Sequence, residues 1–237
     1  MAIGIVGTFL AEEPHREGTP PRTIAQAIVV PFVEFIKRLG WRRVVLVLAF
    51  AVTYKFSEGL KDAVVTIFYR DVGFSKTDIG VVTKAVAYPA WALGGFIGGV
   101  YVARNGVRRM LVVFGIVQAL THLCFLWISY AGKNYGVLAS AIFIENTAYA
   151  MAAAAFVSAQ MSFASPAVSA TQMALLTSFS GVGQRVFGPL AGVLVDAIGW
   201  NGFFAITVVA FAPGVVLAWF ANAPRGSASE SSSASPA

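Results

Sequence analysis

The sequence predicts an all-α integral membrane protein with six transmembrane helices in two three-helix units. Three observations carry this prediction. Hydrophobic residues make up 57% of the chain and charged residues 12%, about half the ~25% charged content of soluble domains. Apolar stretches near the length of a bilayer crossing recur from residue 44 to residue 220, each close to the roughly 20 residues that span a hydrocarbon core of about 30 Å. Between them lie short loops whose Lys and Arg content alternates.

The first crossing, VVLVLAFAVTYKFSEGLKDAVVTIFY at 44–69, carries Lys55, Glu58, Lys61 and Asp62 in its middle. The apolar runs on either side are too short to span alone, so the charges lie inside the crossing. Each charge at mid-bilayer costs about 2.5–3.5 kcal/mol on insertion scales, so the four must pair or face a wet cavity. At about 100° per residue, Lys55, Glu58 and Asp62 share an arc of about 60°, which Thr66 and Tyr69 extend, and Lys61 lies off it beside Glu58. A soluble amphipathic helix would also show such a stripe, but the rest of the chain argues against one. Internal neutralisation, Lys55 with Glu58 and Glu58 with Lys61, is a second reading. A solute pathway is the third, and the default for intramembrane ionisable groups.

The other elements follow in order. Residues 1–10 read as the tail of a preceding helix whose start is missing. Residues 11–43 read as a cytoplasmic linker whose PFVEFIKRLGWRR run suggests an interfacial helix. Ile79–Ala103 carries Lys84, Pro89 and two small-xxx-small pairs, Gly94/Gly98 and Gly95/Gly99, that let helices approach closely. Met110–Tyr130 carries Gln118, His122 and Cys124; His122 reads as a packed, hydrogen-bonded residue. Gly136–Met161 carries Glu145 and Asn146 ahead of an alanine-rich face. Thr171–Val195 carries Gln172, Gln184 and Arg185, with Pro189 as a kink. Asn201–Phe220 is uncharged, with Pro213 near its middle. Residues 221–237 are low-complexity and read as a disordered cytoplasmic tail. Glu145 and Arg185 are each the only formal charge in the body of their span, which predicts that they pair.

Placing the linker inside puts ten basic residues in cytoplasmic loops and three, Arg70, Lys76 and Lys133, outside. By the positive-inside rule both flanks are cytoplasmic. A weak repeat supports the two units. Gly99 and Gly106 of GVYVARNG and Gly192 and Gly199 of GVLVDAIG share one offset, at the ends of the second and fifth spans. The net charge of +6 sits in loops beside spans and is no nucleic-acid signature. One cysteine excludes a disulfide framework. Neither a metal cluster, a cofactor motif nor a catalytic constellation appears, which argues against an enzyme.

GVYVARNGVRR resembles the major-facilitator loop signature G-xxx-D-[RK]-x-G-[RK]-[RK]. Gly99, Arg104, Gly106 and Arg108 match, while Ala103 and Val107 depart. YKFSEGLKDAVVTIFYRDVGFSKTDIGVVTK, FIENTAYAMAAAAFVSAQM and SATQMALLTSFSGVGQRVFGPLAG resemble the second half of the AmpG muropeptide permeases. That resemblance implies one half of a major-facilitator fold in a bacterial inner membrane, with an amino-terminal half as partner. The implied activity is proton-coupled import of anhydromuropeptides. Lys55 and Asp62 fall in that family's charged helix, Lys84 in its G-V-[VN]-x-K pattern, Glu145 and Asn146 in F-x-E-N, and Arg185 in S-x-x-G-x-R. Lys55, Lys84 and Arg185 then become candidates for solute carboxylates, and Glu58, Asp62 and Glu145 for proton coupling. Tyr149 stands where the family tends to have glycine and would narrow a cavity. The alternatives are a transporter of another solute, a non-transporting remnant, or a partner-dependent scaffold.

Overall fold

The computed structural model describes residues 33–164 and 169–220. The expected helix tail at 1–10, the linker up to residue 32 and the tail at 221–237 lie outside the described residues. A short helix at 33–39 ends at Gly40 (φ 77°) and leads into α1, Trp41–Asp71. With 31 residues, α1 is about 46 Å long at 1.5 Å per residue. It is the central helix, burying residues around most of its circumference, Lys55, Glu58 and Lys61 included.

The chain leaves α1 through a tight turn in which Phe74 N–H reaches Tyr69 C=O at 3.0 Å. Ser75 and Asp78 then form a reciprocal capping box that starts α2, Lys76–Val82. A π-helical turn, Thr83–Ala87, joins α2 to α3, Tyr88–Asn105. Pro89 follows directly; it has no N–H for the carbonyl four residues back, and a widened turn is one way a helix absorbs that loss. Gly106 (φ 83°) turns the chain into α4, Val107–Thr121. At His122 the helix tightens to an i−3 bond from its N–H to Ala119 C=O (3.3 Å) before α5, Leu123–Ala131. Asn134 caps α6, Tyr135–Phe163, accepting from the N–H groups of Gly136 and Val137.

α7, Ser169–Val186, breaks at Phe187, just before the Gly188–Pro189 pair that opens α8, Gly188–Ala210; α9 is Ala212–Phe220. Within α8, Gly199 is left-handed (φ 69°, ψ 173°). Contacts with α1 show that direction reverses there. A Cβ on Gly188 would sit 3.5 Å from Ala63, Trp200 Nε1–H donates to Asp71 (3.2 Å), Ser57 donates to Thr207 C=O (2.6 Å), and Gly214 packs on the Tyr54 backbone. The chain therefore runs toward the α1 carboxyl end and returns. Gly106 and Gly199, the matched glycines of the weak repeat, both make left-handed turns.

Among the described residues four helical stretches are long and apolar enough to cross a membrane: Lys76–Asn105, Val107–Ala131, Tyr135–Phe163 and Gly188–Phe220, the last holding the reversal at Gly199. The apolar interior has two clusters among the described residues. One gathers Val44, Val47, Phe50 and Tyr54 with Leu111, Phe156 and Ala218; the other gathers Leu60 and Phe68 with Phe125, Leu138, Phe203 and Phe204. The charged centre of α1 lies between them. α3 and α6 are in backbone contact at Gly94 and Gly98, where a Cβ would fall 2.2 Å from Thr147 O and 2.8 Å from Met151 Cα. The expectation for Gly95/Gly99 is corrected: a Cβ there meets nothing within 4 Å, because this face of α3 points away from α6.

Candidate functional site

The middle of α1 holds two linked ion-pair groups. Lys55 Nζ donates to Glu58 Oε2 at 2.6 Å, and both residues are buried. The same ammonium lies 4.9 Å from the Tyr149 ring centre and 5.3 Å from that of Phe156. Such faces stabilise a cation by about 0.5–2 kcal/mol, the upper end when desolvated. One turn further, Lys61 Nζ bridges two carboxylates, Glu145 on α6 at 2.7 Å and its neighbour Asp62 at 2.8 Å. Glu145 is held from three sides. Its Oε1 accepts from Lys61 and, at 3.5 Å, from Gln118 Nε2, and its Oε2 accepts from Asn146 Nδ2 at 3.1 Å.

A neutral polar node lies alongside. Thr207 Oγ1 spends its proton on Phe204 C=O (2.8 Å), so at 2.9 Å it accepts from His122 Nδ1. That fixes His122 as the Nδ1–H tautomer by hydrogen-bond logic. Ser57 and Thr207 tie the node to α1. His122 is thus a hydrogen-bonded packing residue, as expected. Glu58 Oε1, Gln118 Oε1 and His122 Nε2 are buried without hydrogen-bond partners among the described residues.

Three expectations are corrected. The expected Lys55–Glu58 pair is present, but the expected Glu58–Lys61 pair is not: Lys61, placed off the polar arc, instead joins α1 to α6. Glu145 pairs with Lys61, not with Arg185, which is exposed near the end of α7 and forms no ion pair among the described residues. The arc is not one face, because Lys55, Glu58 and Tyr69 are buried while Asp62 and Thr66 are exposed. α1 is packed on several sides, so a stripe of about 60° leaves the bundle partway along. Lys84 is exposed on the π-helical turn, and Tyr149 is partly buried beneath Lys55.

In the loop motif, Gly99, Arg104 and Arg108 are exposed and Gly106 makes the turn. Among the described residues no group of three or more His, Cys, Asp or Glu could hold a metal ion. A surface recess of about 590 Å³, lined in part by Arg70, Asp71 and Lys76, sits at the α1–α2 turn and is remote from the buried charges.

Apolar crossings closed by left-handed glycine turns, with paired charges inside, describe a multi-pass membrane protein. Residues 48–236 match the Major Facilitator Superfamily, and the chain belongs to that family. It is 35% identical over 215 residues to the anhydromuropeptide permease of Escherichia coli (strain K12), covering 90% of this chain and 43% of that protein. It is 34% identical to the AmpG 4 protein of Rickettsia conorii, covering 82% of this chain and 46% of that protein. An uncharacterised protein of Haemophilus influenzae is also 34% identical, over 93% of this chain and 54% of its own length. The chain thus spans about half the length of the curated relatives it matches.

Proposed function

We propose that residues 44–220 form a six-span bundle that works with an amino-terminal bundle as a proton-coupled importer of anhydromuropeptides or related cell-wall fragments. In this reading the bundle lies in a bacterial inner membrane with both flanks cytoplasmic. α1, the α2–α3 rod, α4–α5 and α6 make four crossings. α7 with the first part of α8, and the rest of α8 with α9, make the other two, with Gly199 as the loop between them. Crossings at the bundle interface are where two-half transporters bind solute, and access alternates by rocking the halves.

The observation that carries the reading is Lys61 shared between buried Glu145 and half-exposed Asp62, whose side chain is 52% exposed. A proton on Asp62 leaves Lys61 to Glu145 alone, and a cationic solute group or its loss has the same leverage on the pair. Lys84 and Arg185, exposed and free of ion pairs among the described residues, supply the positive charge that a peptide carboxylate would meet. The resemblance to the Escherichia coli permease supports the solute class.

The test is uptake of a labelled anhydromuropeptide in cells lacking their own permease. The chain joined to the amino-terminal half of a relative should restore uptake that collapses when the proton gradient is discharged. Asp62→Asn should abolish its dependence on external pH. Normal gradient-driven uptake by Asp62→Asn would refute the coupling role, and uptake by the isolated chain as a monomer would refute the two-bundle reading.

A further inference from the structure

The two ends of the bundle carry different charge. At the end holding the start of α1, the α3–α4 turn and the end of α9, Lys37, Arg42, Arg43, Arg104, Arg108 and Arg109 are exposed and free of ion pairs among the described residues. The carboxylate described there, Glu34, accepts from Gln172 at 2.5 Å. At the other end Arg70, Lys76 and Lys133 are balanced by Asp71, Asp78 and Asp196. Within the basic end one residue is placed by more than charge. The Arg108 guanidinium lies over the Trp219 ring, 4.6 Å from its centre, across the junction of α4 and α9. Trp219 is 54% exposed, beside Phe220 at 61%, and Tyr101 on α3 is 52% exposed.

We propose that the Arg104–Arg109 turn, with Trp219, is a headgroup site for an anionic glycerophospholipid of the leaflet at this end. The chemistry is complementary at each level. An indole at the membrane interface places itself at headgroup depth. Stacking on it pre-orients the guanidinium fork, which matches a phosphodiester with two parallel N–H donors. Arg104 and Arg109 flank the fork across the Gly106 turn, and none of the three arginines pairs with a carboxylate among the described residues. Apolar Trp219, Phe220 and Tyr101 offer the acyl chains a surface directly below. This inference rests on the chain spanning a bilayer and is independent of the solute.

The test uses the full chain in phosphatidylcholine bilayers with trace spin-labelled phosphatidylglycerol or phosphatidylcholine, comparing their motionally restricted fractions. The parent chain should select phosphatidylglycerol. A basic residue near an anionic surface is worth about five-fold in association, so Arg108→Gln should lower selectivity by about that factor. The triple change Arg104→Gln, Arg108→Gln, Arg109→Gln should abolish it. Arg108→Lys keeps the charge but loses the planar stack, and should lose about two- to five-fold. Trp219→Leu should match Arg108→Lys, and it keeps the site testable if the triple variant fails to fold. Removing Arg70, Lys76 and Lys133 together should leave selectivity unchanged. An equal loss from that opposite-end control, or full selectivity in Arg108→Lys and Trp219→Leu, would overturn the site. Displacement of the restricted lipid by soluble glycerol phosphate at low concentration would also overturn it, showing a free-anion site.

Discussion

Lys61 and Arg185 are both cations in the body of apolar helices, and the fold treats them in opposite ways. Lys61 is 5% exposed and sits between two carboxylates at 2.7 and 2.8 Å, joining α1 to α6. Arg185 is exposed on α7 and forms no ion pair among the described residues; Lys84, on the π-helical turn, is likewise exposed and unpaired. A charge inside the bundle must be neutralised locally, because removing a partner strands it in a medium that solvates it poorly. A charge left open on a span needs a wet cavity or a second protein surface to be tolerable. The inner charges are therefore neutralised within the bundle, and the outer ones lie where the proposed partner bundle or a wet cavity would meet them.

The most severe way to break this contrast is at the inner pair. Lys61→Met leaves Glu145 with only the neutral donors of Gln118 and Asn146. Stranding a buried charge destabilises by about 3–5 kcal/mol. The double change Lys61→Met with Glu145→Gln removes the charge and should recover most of that loss. The measurement is a double-mutant cycle on unfolding in mixed micelles. Additive effects would show that the pair contributes nothing beyond its members.

The same inside–outside contrast recurs in glycine. Gly94→Ala would drive a Cβ to 2.2 Å from Thr147 O, a backbone atom that moves only with its helix. Overpacking of this kind costs about 1–3 kcal/mol. Gly95→Ala, with nothing within 4 Å, should be neutral within about 0.5 kcal/mol. Thermal unfolding of the two variants side by side checks the sign. Equal destabilisation would mean that the α3–α6 contact is not as close as described.

The Gly94/Gly98 close approach was legible in the sequence, and the turn at Gly199 falls between the expected fifth and sixth spans. Both follow from local rules: small residues one helical turn apart permit close helices, and glycine between apolar runs permits a left-handed turn. The choice of ion partner was not legible. The middle of α1 is neutral by itself, with two cations, Lys55 and Lys61, and two acids, Glu58 and Asp62, so simple charge balance left Glu145 and Arg185 as the unmatched pair. The structure instead shares Lys61 between Asp62 and Glu145. Which helix faces α1 at that level is a tertiary property, set partly by the α3–α6 and α9–α1 glycine contacts. The partner of His122 is equally tertiary, since its ring meets Thr207 far along the chain. A lone Glu in a span beside a helix with a Lys off its polar arc is the signal that could have found Lys61.

The gentlest test sharpens the contrast from the outside. Lys84→Gln and Arg185→Gln each remove an exposed cation with no described ion-pair partner, so the stability of the isolated chain should shift by less than about 0.5 kcal/mol. Function should not be spared. If these side chains meet a solute carboxylate, each substitution removes one charge-assisted hydrogen bond, worth about 1.5–3 kcal/mol. Half-saturating solute concentration should therefore rise by about ten-fold or more, with maximal uptake less affected. Arg185→Lys should recover part of that loss if charge suffices, and little if the planar fork is required. The assay is labelled anhydromuropeptide uptake by the assembled transporter, read at several solute concentrations beside unfolding of the same variants. Lost stability with unchanged half-saturation would place Arg185 among the structural charges, on the same side of the comparison as Lys61.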